Sequence, residues 1–545
     1  MKRTAAGTLF LLLLCRPCLA CDPPEAQGLK PATLMTGLGD IHHPIKTESA
    51  EAQKFFDQGL AFMYAFNHAE AQASFEKAAE LDPKSPMPQW GVALALGPNI
   101  NVPVDPEHEK AAYAAIQRAI PLAAKAAPVE RDYVEALAKR YSDDPKADLA
   151  KLSADYAAAM GEVSKKYPDD LDAATLHAEA MMDLKPWQLW SADGKPAEGT
   201  NEIIAILESV LRRSPTHTGA NHYYIHAVEA SPHPELALPC AARLATLAPA
   251  AGHLVHMPAH ILMRTGDYAG ASHANEAASE ADRSYFKDRT DQGLYPLLYY
   301  DHNLHFLSSA AAFEGRYAVS KKAAETMVAF AAPAAKDVPL IEPFLSWPML
   351  MDLRFHRWDD VLGAPAPDAS QLSVVAIWHF ARGVALAGKG SASKASKEKQ
   401  QMAAAAAKIP PDFLFSLNPM SSFVAVAGNV LDARMAEAKK DWKGAIAAWT
   451  KAVEEQDKLA YDEPPGFYYP VRESLGAALL QAKKPADAER VFRADLEKNP
   501  RSGRSLFGLA QSLRAQKRDV DAAWVEAELQ TAWKNADGPL KVSDL

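Results

Sequence analysis

Histidines recur in this chain at a fixed interval. The stretch 222–260 opens on HYYIHAVE and closes on HLVHMPAH. His222 and His256 lie 34 residues apart, and so do His226 and His260. Each four-residue step, 222 to 226 and 256 to 260, puts two imidazoles on one helical face a turn apart. Imidazole is the commonest protein ligand for metals. With a carboxylate beside it, it suits Zn, Fe, Mn, Ni or Cu and does not choose among them. A divalent metal ion is therefore the expected cofactor. Packing alone does not require the same histidine at the same place in two successive units.

Those units must be helical hairpins. With Ala52 as position 1, Gly59 falls at 8, Phe62 at 11, Ala71 at 20, Phe75 at 24, Ala78 at 27 and Pro83 at 32. Small residues at 8 and 20 let two helices approach, and a proline at 32 ends the second one. These packing positions and the 34-residue period resemble the tetratricopeptide (TPR) superfamily over most of residues 52–535. The resemblance implies an all-α right-handed superhelix of roughly ten hairpins. It also implies a concave groove faced by positions 2, 5, 9, 12 and 13. More narrowly, FNHAEA, WGVALALGPNIN, KPWQLW, HLVHMPAHI and DEPPGFYYPVRESLGAALL resemble a group of exported bacterial TPR proteins that brings no defined activity with it.

Further units start at Leu171, Thr218, Gly252 and Asp301, and near Glu342, Ala376, Val426, Tyr469 and Gly503. In these frames His222, His256 and His305 share position 5, His253 and His302 share position 2, and His226 and His260 share position 9. Glu229 and Met263 sit at 12, and Glu179 and Asp183 at 9 and 13 one unit upstream. The expected metal set is His222, His226, Glu229, His253, His256 and His260, flanked by His302 and His305. Glu179, Asp183, Tyr223 and Met263 line the same groove, and Tyr223, Asp301 and Asn303 are candidates to hydrogen-bond the ligands. Pro258, inside a helix, removes the bond to the Leu254 carbonyl and kinks it.

Three other readings compete with a metal site. The groove could bind a peptide or protein partner through histidine hydrogen bonds, or the histidines could form a structural network. A metal-dependent hydrolase or oxidoreductase would use Glu229 or Glu179 as its base. The balance leans away from an enzyme, because TPR arrays generally act as scaffolds.

The formal charge is −10 and becomes −13 once Lys2, Arg3 and Arg16 leave with the first 20 residues, which argues against nucleic acid as a partner. Residues 1–20 read as an export signal: a basic start, an apolar run Thr8 to Cys15, and Ala20 before the cut. The expected location is periplasmic or secreted. Cys21 after Leu19-Ala20 resembles a lipoprotein attachment site, so a lipid anchor at Cys21 is an expectation. No later window is apolar enough to span a membrane. Residues 21–51 form an extended lead-in, 52–335 an N-terminal array with the histidines, and 336–545 a C-terminal array. The low-complexity run 388–408 reads as a turn and a polyalanine helix, and 461–470 (YDEPPGFYYP) as a rigid aromatic loop. Cys240 is expected as a small core residue, too isolated for a disulfide framework.

Overall fold

The computed structural model describes residues 32–287 and 295–545. Helices follow one another in antiparallel pairs: Ala50–Tyr64 with His68–Leu81, Leu171–Met182 with Thr200–Arg213, Thr218–Val228 with Leu238–Leu247, Asp301–Phe313 with Tyr317–Ala331, and Gly503–Ala515 with Asp519–Ala532. Among the described residues the only strands are two-residue pieces, 414–415 against 418–419. The chain is an all-α solenoid of TPR-type hairpins.

The packing residues act as the period predicts. A Cβ placed on Gly59 or on Gly91 would lie 2.5 or 2.4 Å from the Phe75 ring. One phenylalanine therefore wedges between two successive first helices, which only glycine admits. Phe492 does the same between Gly476 and Gly508. Second helices start on an aspartate or asparagine whose side chain accepts a backbone N–H three residues on: Asn67, Asp267 and Asp441.

Helices begin at Leu171, Thr218, Gly252, Asp301 and Gly503, where the sequence frames start. Elsewhere the start moves by a few residues, to Leu372, Met420 and Arg472. Near Glu342 a 3-10 stretch, Pro339–Ser346, precedes helix Trp347–Arg354, and Pro343 within it denies a regular turn its N–H. The polyalanine segment is helix Ala392–Ala406. Cys240 is buried and, among the described residues, has no cysteine partner. Among the described residues no helix is long and apolar enough to cross a membrane.

Two large cores succeed each other, one built from Ala32 to Tyr299 and one from Tyr300 to Leu545. The late repeats also fold back on the middle ones. Tyr268 Oη donates to the Pro500 carbonyl at 3.0 Å, and Asn535 Nδ2 donates to Glu314 Oε2 at 3.1 Å. Gly266, at φ +82°, lies so close that an added Cβ would sit 2.2 Å from the Pro500 carbonyl oxygen. That return brings the 461–470 loop to the histidines.

Candidate metal centre

Helix Thr218–Val228 carries His222 and His226, and the chain continues through Glu229 at its C-cap. The next first helix is split in two. Gly252–His256 ends, Met257 intervenes, and Pro258–Thr265 resumes, so the expected kink is a break at the proline. His253 and His256 stand before the break and His260 after it. His302 and His305 lie on Asp301–Phe313.

Six of these histidines meet as two triads. In the first, His222 Nε2 lies 3.1 Å from His226 Nε2 and 3.1 Å from His253 Nε2. In the second, His256 Nε2 lies 2.7 Å from His260 Nε2, and His302 completes the group. Each triad takes positions 5 and 9 of one repeat and position 2 of the next. The solenoid's own translation therefore builds the same site twice. A third does not form, because position 9 after His305 is Ser309.

Four of the six outward nitrogens are held, those of His222, His226, His256 and His260. His222 Nδ1 lies 2.7 Å from the Tyr64 carbonyl, and a carbonyl only accepts, so Nδ1 carries the proton and Nε2 a lone pair. His256 Nδ1 faces Asn275 Oδ1 at 2.6 Å, while the Asn275 amide nitrogen donates to the Ala271 carbonyl, which fixes His256 in the same tautomer. Glu229 serves both triads: Oε1 is 2.8 Å from His226 Nδ1 and Oε2 is 2.6 Å from His260 Nδ1. Carboxylates and carbonyls behind imidazoles are what metal-binding histidines use to fix ring and tautomer.

Burial does the rest. His222 and His256 are fully buried and His226, His253 and His260 nearly so. Desolvation holds His256 down to about 4 and His226 to about 3, and pushes His222, His253, His260 and His302 well below the ordinary value. All six imidazoles are neutral at neutral pH. The same burial lifts Glu229 to about 8.

Each triad has a phenylalanine packed on all three rings. Phe66 lies 4.6 Å from His222, 5.9 Å from His226 and 5.4 Å from His253 between ring centres. Phe306 lies 4.8 Å from His256, 4.8 Å from His260 and 4.9 Å from His302. Phe66 holds its place with a left-handed backbone, φ 55°.

Sequence reasoning missed Glu463. Its buried carboxyl sits against His260 Nδ1 and hydrogen-bonds that of Glu229. Burial and the Glu229 charge push it well above the usual carboxylate range. It lies far along the chain from all six histidines, and its only local signal was the rigidity of the 461–470 loop. Arg264 closes this side, donating to the Ser231 carbonyl at 3.0 Å and lying over the Tyr461 ring.

Other expected residues stand apart. His305 packs edge-on against Trp347, 4.1 Å between ring centres, and Phe344. Glu179 and Asp183 do not face an open groove: both are buried beside Arg140, whose Nη2 donates to Asp183 Oδ2 at 2.5 Å. Tyr223 is buried against Tyr64, Phe66 and His222, and Met263 is half-buried beside Ala259 and Phe306. Asn303 Nδ2 donates to Asp282 Oδ2 at 2.7 Å, not to a histidine. Trp190 donates Nε1–H to the Ala227 carbonyl at 2.8 Å. Cys21 and the export signal lie outside the described residues.

A separate cavity of about 1020 Å³ lies beside the lead-in, lined by His43, Tyr64, Tyr133, Asp170, Asp172 and His217 among others. Asp172 accepts from Tyr64 Oη at 2.5 Å and from His43 Nδ1 at 2.9 Å. His42, by contrast, is exposed and pairs with Asp57.

No family model matches the chain, and no curated protein matches it. Among solved structures it is similar to a human IFIT1 dimer with m7Gppp-AAAA, at 12% identity over 90% of this chain and 91% of that one, TM-score 0.33. The APC/C Cut9–Hcn1 hetero-tetramer gives 12% identity over 90% and 95%, TM-score 0.29. The P58(IPK) TPR domain gives 13% over 86% and 99%, TM-score 0.23. The paired helices, the 34-residue step and the Gly–Phe–Gly wedges make this chain a TPR-type solenoid.

Proposed function

We propose that this is an exported metal-binding TPR protein whose two histidine triads hold transition-metal ions. One observation carries the reading. His222 Nε2 is a lone pair with two other imidazole nitrogens 3.1 Å away. A shared proton serves one such pair and leaves the third ring without a partner. One cation serves all three: around a tetrahedral ion with bonds of about 2.0–2.1 Å the nitrogens stand about 3.3 Å apart. The Nδ1 bonds to Tyr64, Asn275 and Glu229 supply the outer support that such ligands need.

All six inward donors are imidazole, and Glu229 and Glu463 touch the Nδ1 side. That favours Zn, Fe, Ni or Cu over Mn, which prefers oxygen. Contact with a peptide partner is disfavoured for His222, His226, His253, His256 and His260 because they are buried. The test is elemental analysis of untagged protein purified from its native compartment, followed by chelator treatment and reloading. Stoichiometric metal that leaves with chelator and returns supports the reading. Protein that is metal-free and takes up none of Zn, Fe, Ni or Cu overturns it.

A further inference from the structure

We infer that the cavity beside the lead-in is a binding site for an organic cation, an alkylammonium group carried on an apolar stem. The site is separate from the histidine triads and stands whether or not they carry metal. Its volume, about 1020 Å³, is at the upper end of small-molecule pockets. The lead-in is fastened across it as one wall. His43 donates its backbone N–H to Asp57 Oδ1 at 3.0 Å, and its carbonyl accepts from Gln53 Nε2 at 2.8 Å. Three residues on, Lys46 N–H donates to Glu130 Oε1 at 2.6 Å.

Charge selects a cation. In the wall Asp169 pairs with Arg213 at 2.8 Å and Lys166 pairs with Asp132 at 2.5 Å, so neither adds net charge. Asp40, Glu130, Asp170 and Asp172 remain, against His42, His43 and His217. The wall therefore stays negative even with all three imidazoles protonated. Donors behind the carboxylates orient them. Asp170 accepts from Ala173 N–H at 3.0 Å and from Tyr133 Oη at 2.9 Å. Glu130 accepts the backbone N–H groups of Lys46 and Ala127. Ala220 N–H donates to His217 Nδ1 at 3.2 Å, so the ring proton of neutral His217 lies on Nε2, 3.2 Å from Asp172 Oδ1. Asp172 thus accepts from His217, His43 and Tyr64 together. Burial alone would raise its carboxyl, but the hydrogen bonds from His217 and His43 hold it well below the usual carboxylate range.

The same donors favour an ammonium over a bare metal ion. Each takes a lone pair of Asp172 that a metal would need, and two of them are ring N–H groups. An ammonium needs only spare lone pairs and a negative potential. A carboxylate offers about four acceptor positions, of which Asp170 and Glu130 each use two. Tyr64, Tyr133 and Tyr167 line the same wall, and aromatic rings attract alkylammonium groups. Pro44, Pro128 and Pro168 supply hydrocarbon against which the stem can pack.

The test is isothermal titration calorimetry of the full-length protein with putrescine, spermidine and N-acetyl-lysine methylamide, with glutarate as the anionic control. Saturable binding of one amine per chain and none of glutarate is expected. Asp170→Asn keeps an oxygen at the helix N-cap and should weaken amine binding about tenfold. Asp40→Asn changes an exposed residue and should also weaken it, with circular dichroism confirming the fold of both variants. Tighter binding of the polyamines would identify the ligand as a free amine, and tighter binding of the lysine derivative as a protein side chain. Failure to bind any of the amines overturns the inference. So does binding that both variants leave unchanged, or displacement of the amine by stoichiometric Ca²⁺ or Mn²⁺.

Discussion

His226 and His260, a whole repeat apart, bond opposite oxygens of one carboxylate, Glu229, at 2.8 and 2.6 Å. The two triads therefore share an outer support. Glu229→Gln should lower metal affinity in both, by about 10–100-fold each. Asn275→Ala, which frees only His256 Nδ1, should weaken one of the two equivalents. Chelator competition resolves the two steps. A Glu229→Gln loss confined to one step would mean that the shared carboxylate does not couple the triads.

His305 belongs to the position-5 row but packs on Trp347 and Phe344 away from the triads. His305→Ala should leave metal stoichiometry unchanged and cost about 1–3 kcal/mol of stability. Paired metal analysis and denaturant melts check it; loss of an equivalent would place His305 in the centre.

The apo-protein should be most stable in a narrow pH range. The six histidines have folded values below the ordinary 6.5. The unfolded chain therefore takes up protons first, and stability falls as pH drops below about 6.5, by about 1.4 kcal/mol per unit for each histidine still neutral in the fold. Glu229 works the other way. Its folded value of about 8 exceeds the ordinary 4.5, so its contribution is whole below 4.5 and is lost as pH rises toward 8. Thermal melts of metal-free protein between pH 4 and 9 should peak between these limits. Bound metal should remove the alkaline loss, because it holds Glu229 ionised, and should be released by acid.

Gly266 joins the middle repeats to Pro500 with a left-handed backbone. Gly266→Ala should cost about 1–3 kcal/mol from the backbone conformation alone, and more from the contact with the Pro500 carbonyl. A denaturation midpoint equal to wild type would show that the contact is not held in solution.

The N-terminal expectation is checked by intact mass. Exported protein should begin at Cys21, and a thioether-linked diacylglycerol there would identify the lipid anchor. A chain beginning at Met1 would overturn the export reading.

Much of this was legible because repeat packing is local. The glycines, alanines and prolines that set the frames act within one hairpin or against its neighbour, so their spacing alone predicts Thr218, Gly252 and Asp301 as helix starts. The histidine positions came with the frames. Their grouping did not follow, because a row of equal positions does not say which neighbours touch. The triads join positions 5 and 9 of one repeat to position 2 of the next, and that pairing depends on the rotation between hairpins.

The sequence by itself indicated the class of fold, the period and eight candidate residues, of which six histidines make up the two triads. Periodic hydrophobic and small-residue contacts carry that information within about one repeat. Only the tertiary structure decided that the six form two sites, that Glu229 supports both from behind, that His305 is left out, and that Glu463 arrives from a distant loop. Those outcomes depend on superhelical rotation and on the chain's return over Gly266, which summed small angles between repeats create and no single stretch records.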